Sequence, residues 1–92
     1  MSLRTVHGFT VPSVHLNGTG ATTLREEYAH AYEALNKAIE AFVNTTCNAR
    51  DFYVQDQHAF DKARHERAEA LDQLRKSQHY IGSMLMGICD QM

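Results

Sequence analysis

The stretch LDQLRKSQHYIGSMLMGICDQM, residues 71–92, decides the fold of this chain. Large apolar residues recur in it at alternating steps of three and four, which keeps one stripe of a helix against a partner helix. The stripe runs through Leu71, Leu74, Gln78, Ile81, Leu85, Ile88 and Met92. A second stripe runs through Leu24, Tyr28, Ala31, Leu35, Ala38 and Phe42. The two stripes predict an all-α fold, an antiparallel, coiled-coil-like two-helix hairpin.

The chain is short enough to form a single domain, residues 1–92. We expect four segments in order: an extended, β-like arm over 1–22, helix 1 over 23–45, a loop over 46–55 and helix 2 over 56–92. Thr23 with Glu26 matches a capping box for helix 1, and Asp56 is the expected cap of helix 2. Helix 2 would be about 54 Å long and helix 1 about 33 Å, so the last part of helix 2 is expected to overhang helix 1.

The arm is rich in β-prone residues separated by Gly, Pro and Asn. A turn at Pro12-Ser13 would place Val11 opposite Val14. An extended arm that lies on another subunit is the alternative.

The predicted overhang is the expected assembly surface. After Lys76 the only charged side chain is Asp90, and the large apolar residues cover more than one stripe of the helix. This end should therefore pack against the arm, another subunit, or both. We predict a homo-oligomer, a dimer or larger, with this interface: Tyr80, Ile81, Met84, Leu85, Ile88 and Met92. Two polar seam residues, Arg67 and Gln78, would set register, with Arg67 reaching Glu33, Glu40 or a partner subunit.

Composition excludes several function classes. The net charge is −2 and no segment is strongly basic, so no nucleic-acid partner is expected. No apolar run is long enough for a membrane span. Cys47 and Cys89 would lie roughly 50 Å apart in a hairpin, so two free thiols and a cytoplasmic location are expected. No catalytic signature is present and the six histidines lack metal-ligand spacing, so we predict a non-enzymatic protein with no metal and no cofactor.

The loop after helix 1 is the best candidate for a ligand site. Arg50, Asp51, Phe52 and Tyr53 place a guanidinium, a carboxylate and two aromatic rings together, which is typical of recognition surfaces. Asn17 and Thr19, in the Asn17-Gly18-Thr19 turn, are further candidates. The alternative is that Phe52 and Tyr53 close the open end of the hairpin while Arg50 and Asp51 cap helix ends.

Two short elements carry a resemblance: His15-Leu16-Asn17-Gly18-Thr19, and Asn48 to Gln55 with the sequence NARDFYVQ. Their order, with a helix between them and a long helix after, resembles a group of small, uncharacterised phage and prophage proteins. Phe52 stands where that group is expected to have Tyr, and Ala49 where Gly is common. The resemblance covers most of residues 14–75. It implies a phage or prophage origin and production in the cytoplasm of a bacterial host, and it supplies no activity.

Two functions therefore compete. The first is a non-enzymatic phage-derived protein that acts through homo-oligomerisation and contacts with a phage or host protein. The second is a small-ligand or nucleotide-binding module with sites between subunits.

Overall fold

The computed structural model of the protein describes residues 3–15 and 18–92, and in these it is a helical hairpin with a short N-terminal sheet. The elements in order are strand β1 (Thr5–Val6), strand β2 (Phe9–Thr10), helix α1 (Ala21–Val43), one turn of 3-10 helix (Ala49–Asp51) and helix α2 (Ala59–Cys89). The molecule is elongated, 61 × 25 × 16 Å. The predicted helical hairpin and β-like arm are confirmed at this level.

Helix α1 begins earlier than the sequence predicted. Gly20 is its N-cap, with extended backbone, and its carbonyl accepts from Leu24 N–H at 3.0 Å. No side-chain hydrogen bond caps this end, and Thr23 lies inside the first turn. The predicted Thr23–Glu26 capping box is therefore wrong, because the helix begins at Ala21 and Thr23 is already part of it.

Helix α2 begins later than predicted. Asp56 Oδ1 accepts from His58 N–H at 2.7 Å, and the Asp56 carbonyl accepts from Ala59 N–H at 3.1 Å. These bonds close a turn ahead of the helix, so Asp56 orders the entry to α2 without being its N-cap, which is His58.

The end of α2 that lies beside α1 is the C-terminal one. Gln78 Nε2 donates to Asn36 Oδ1 at 3.2 Å, and Gly82 lies against the ring of Tyr32. Arg67 contacts the last residues of α1. Roughly the first three turns of α2, residues 59–70, extend past α1, so the predicted overhang of its last part is wrong. The long connection 44–58 allows this, because α2 can start well beyond the end of α1.

The N-terminal arm covers the other side of the same part of α2. Its turn lies at His7-Gly8, where both residues have positive φ (51° and 83°), and pairs Val6 with Phe9 and Thr5 with Thr10. That geometry is the two-residue hairpin turn that matches strand twist. The turn considered at Pro12-Ser13 does not form; the hairpin turns at His7-Gly8, where Gly8 takes the left-handed conformation easily.

The core lies along α2, between it and the two elements that pack on it, the arm and α1. The buried apolar side chains are Val11, Ile39, Met84 and Ile88. Val11 lies directly over Gly87, where a β-carbon would come within 2.7–2.9 Å of it. Gln91 holds the next part of the arm, accepting from Val14 N–H at 2.8 Å and donating to the Pro12 carbonyl at 2.7 Å. Thus the arm lies on its own chain.

Candidate functional site

A concave groove lies between the arm turn and α1, with α2 as its floor. Its volume is about 460 Å³, within the range of small-molecule sites. It is lined by His7, Tyr32, Gln78, His79, Gly82, Ser83, Leu85 and Met86. Because Gly82 has no side chain, the edge of Tyr32 can approach α2 closely at one side of the groove.

His7 is held in this groove by a hydrogen-bond chain. Its Nδ1 lies 2.9 Å from Ser83 Oγ, and Ser83 Oγ donates to the His79 carbonyl at 2.8 Å. A serine hydroxyl has one proton, and the helix carbonyl takes it. We therefore assign Nδ1–H of His7 as the donor to Ser83, which leaves Nε2 with a free lone pair.

His79 forms the neighbouring wall. The His7 and His79 ring centroids are 4.9 Å apart, with planes inclined by 36°. Phe9 packs edge-on against Tyr80 at 5.1 Å and lies 6.0 Å from His79. The turn of the arm is thereby fixed to α2 by aromatic packing as well as by the Ser83 hydrogen bond.

The Ser83–His7 pair suits binding better than catalysis. Ser83 is 1% exposed, so a substrate cannot reach its hydroxyl. Its proton is donated to a helix carbonyl, whereas an activated nucleophile would donate it to a base. The chemistry that the groove offers is an imidazole with a fixed tautomer, a second imidazole and mostly apolar walls.

The loop predicted to bind a ligand is placed elsewhere, at the far end of the hairpin. Arg50, Asp51 and Tyr53 are exposed, and Phe52 is half-buried, with its ring centroid 6.2 Å from that of Phe60. The loop is ordered by Asn48, whose Oδ1 accepts from the Arg50 N–H at 3.1 Å.

Neither sequence-based alternative for this loop describes it fully. Phe52 packs inward as the structural alternative requires, but Tyr53 is 60% exposed. A smaller groove of about 380 Å³ nearby is lined by Asp56, His58, Ala59 and Lys62, and so excludes the predicted ligand residues. Of the other candidates, Thr19 is exposed and Asn17 lies outside the described residues.

The residues predicted for the oligomer interface divide into three groups. Met84 and Ile88 are 2% and 0% exposed in a single chain, so they present no surface to a second copy and are corrected to core residues. Leu85 and Ile81 are half-buried, Leu85 at the groove. Tyr80 and Met92 are 43% and 57% exposed.

Sequence reasoning missed the groove residues His7, His79 and Ser83. One signal was present, since His7-Gly8 between Thr5-Val6 and Phe9-Thr10 is a glycine-containing dipeptide between β-prone pairs. A second was Ser83, a lone small polar residue in an apolar stretch. The pairing of residues 76 positions apart has no signal in a single sequence.

Comparisons with known proteins do not assign this chain to a family. No protein-family model, no curated protein and no solved structure matches the chain. Across residues 3–15 and 18–92, no three or more His, Cys, Asp or Glu side chains converge on a metal position. Neither helix of this part of the chain is long and apolar enough to cross a membrane.

Proposed function

We propose that the protein is a non-enzymatic helical protein that acts through contacts with other protein chains, first of all a second copy of itself. Its exposed surface supports this. The chain exposes 6887 Å² at 10.4 kDa. A folded monomer of that mass exposes roughly 5,400 Å², so the surplus is about 1,500 Å². One partner in a standard interface buries about 800 Å², so the surplus is large enough for a stable dimer.

The half-buried seam indicates where a second copy would dock. The large residues of both stripes remain only partly covered by the hairpin: Leu24, Tyr28, Leu35, Phe42, Leu71, Leu74, Ile81 and Leu85. Two packed helices cover such a stripe from one side only. A second hairpin across the seam would complete a four-helix arrangement, which is a common solution for antiparallel helix pairs.

One flank of the hairpin suits this contact better than the other. At 100° per residue, the side opposite the groove presents small residues from both helices, and we call it the alanine flank. It comprises Ala31, Ala34, Ala38, Ala41, Ala63, Ala70, Ser77 and Ile81. Ala34, Ala38 and Ala41 are exposed, so the backbone of a second copy can approach closely.

Charge distinguishes the two flanks. Helical spacing places only Glu27 and Glu66 on the alanine flank, one near each end. The groove flank carries Arg25, Arg75 and several carboxylates by the same spacing. Charged residues are depleted at the centres of interfaces, so the alanine flank is the better docking surface.

The cysteines and the sequence resemblance support a cellular setting for the proposed assembly. Cys47 and Cys89 are free, which supports a reducing compartment such as bacterial cytoplasm. The phage or prophage origin and a phage or host protein as a further partner are proposals that rest on the two resemblance elements alone.

The test is the mass in solution, measured by light scattering after size exclusion over a dilution series. We expect wild-type protein to be a dimer or larger, and Ala38→Arg to be a monomer. The matched control is Ala68→Arg, the same change at an exposed helix position on the groove flank. Arginine is a good helix former, so both variants should keep their helical circular dichroism.

Each outcome of this test bears on a different part of the proposal. A monomeric wild-type protein at tens of micromolar would refute the oligomer. If Ala38→Arg and Ala68→Arg both stay oligomeric, the alanine flank is not the interface. If only Ala68→Arg dissociates, the groove flank is the interface.

The groove favours a second candidate function, the binding of a small ligand. All its lining residues come from one chain, so such a site would not need a second subunit. Its two imidazoles give one end of the groove two polar rings that could contact such a ligand.

A further inference from the structure

We propose that His7 and His79 bind one divalent transition-metal ion at the mouth of the groove, and that the ion ties the N-terminal arm to α2. This rests on the groove as a ligand site and does not depend on assembly. The ion class is the one that imidazole nitrogen prefers, represented by Zn²⁺ and Ni²⁺.

The separation of the two rings fits a shared ion. Two imidazoles bound to one ion at about 2.0–2.1 Å, at a near-tetrahedral angle, have their ring centres roughly 5 Å apart. The observed centroid separation is 4.9 Å. Because both ligands come from one chain, 72 residues apart in sequence, the ion would cross-link the arm to the helix.

The second ring nitrogen of His7 makes the kind of hydrogen bond that is found in metal-binding histidines. Such a histidine usually donates its other ring N–H to an oxygen, which fixes the tautomer and aims the free nitrogen at the ion. In this chain His7 Nδ1–H donates to Ser83 Oγ, which donates to the His79 carbonyl. Ser83 is buried, so this support is shielded from water.

The backbone conformation at His7 also supports a bound ion. Its φ of +51° is unusual for a residue other than glycine and costs stability, whereas asparagine would occupy this turn position more easily. A side chain kept at a strained position needs a contribution that offsets the strain. The contacts with Ser83 and His79 supply part of it, and an ion would supply more.

The other groups in the groove determine how tightly the ion is expected to bind. None of the described residues that line the groove carries a carboxylate, and water would fill the remaining coordination positions. His7 is held by its hydrogen bond to Ser83, and the His79 ring lies against it. With two protein ligands the site would be exchangeable, with a dissociation constant on the order of micromolar, far weaker than a four-ligand zinc site.

The test is thermal unfolding followed by circular dichroism during titration with NiCl₂ and, separately, ZnCl₂. A Cys47→Ser, Cys89→Ser background removes thiolate binding. We expect a saturable rise in Tm of roughly 10–20 °C at a hundredfold excess over the dissociation constant. His79→Ala and His7→Asn should abolish the rise. Asparagine tolerates the backbone at position 7, so the turn is preserved.

Three control variants distinguish metal binding at this site from other causes of a rise in Tm. His65→Ala, which removes an exposed histidine of α2 paired with Glu69, should leave the rise unchanged. Ser83→Ala should weaken binding about tenfold, the usual effect of losing the group behind a ligand. Ala38→Arg should keep the full rise, because both ligands belong to one chain.

The proposal is overturned if no saturable rise appears up to millimolar metal, or if His79→Ala keeps it. An equal loss in His65→Ala would indicate nonspecific binding to surface histidines. Loss of the rise in Ala38→Arg would mean that the ion bridges two copies, which contradicts a site within one chain.

Discussion

Arg67 closes the C-terminal end of α1, and its removal should destabilise the hairpin measurably. Its Nη2 lies 3.0 Å from the Phe42 carbonyl, 3.1 Å from the Val43 carbonyl and 2.9 Å from the Thr45 carbonyl. The last carbonyls of a helix lack intrahelical partners, although the Phe42 carbonyl also accepts from the Thr45 N–H at 3.0 Å and from Thr45 Oγ1 at 2.6 Å. The guanidinium also sits 5.3 Å from the centre of the Phe42 ring. The sequence-based expectation that Arg67 pairs with Glu33 or Glu40 is therefore wrong, because helix-end carbonyls occupy its donors.

The magnitude follows from these contacts. A hydrogen bond that involves a charged group contributes about 1.5–3 kcal/mol, and a positive charge at a helix C-terminus adds about 0.3–1 kcal/mol. Arg67 is only half-buried, so the lower parts of these ranges apply. We expect Arg67→Met to lower the free energy of unfolding by about 2 kcal/mol, or Tm by roughly 10 °C. Arg67→Lys keeps the charge but loses the planar fork, so it should lose about half as much.

The assay is urea unfolding followed at the helical circular dichroism band, at matched protein concentrations because assembly shifts the midpoint. Glu40→Gln is the control, since it removes the rejected ion-pair partner and should change stability by less than about 0.5 kcal/mol. A loss below 0.5 kcal/mol in Arg67→Met, or a Glu40→Gln loss as large as that of Arg67→Met, would refute the capping role.

Three further substitutions test how the arm and α1 pack on α2. Gly87→Ala should destabilise the protein by about 1–3 kcal/mol, because the new methyl group would meet the buried Val11 at 2.7–2.9 Å; a higher urea midpoint would contradict this close packing. Gly82→Ala should be neutral or slightly stabilising, since its methyl group meets only the ring edge of Tyr32 at 3.1 Å and helix propensity improves by up to about 1 kcal/mol. Gln91→Ala should cost about 1–2 kcal/mol through the loss of two hydrogen bonds to the arm backbone, read as faster amide hydrogen exchange in the arm; unchanged exchange would show that the arm is held by other contacts.

The two-helix hairpin could be predicted from the sequence because apolar periodicity is a local property. The stripe around Leu35 and the stripe around Leu74 each show it within a few turns. The register between the helices could not be predicted, because it depends on the length and path of the connection. The predicted loop over 46–55 and start of helix 2 at Asp56 align the first part of helix 2 with helix 1, the opposite of the observed register, and so misplace the surface expected to be free for assembly.

The groove was harder to predict for a related reason. His7 and Ser83 are far apart in sequence and meet only because the arm folds back over α2. The turn that allows this depends on two residues with positive φ, and histidine is an unusual choice for the first of them. By contrast, the loop from Arg50 to Tyr53 had a strong local composition but lies at the exposed tip, where composition alone does not create concavity.

The docking of the arm also determines which surface remains for assembly. The arm packs on the part of α2 that carries Met84 and Ile88, the two most buried apolar side chains of that helix. With the arm in place, the uncovered apolar surface lies along the seam and the alanine flank. With the arm detached, the C-terminal end of α2 would become a second exposed apolar surface, and association would no longer be limited to one face. If the chain assembles as proposed, a contact that holds His7 to α2, through Ser83 alone or with a bound ion, would favour a defined oligomer over open-ended association.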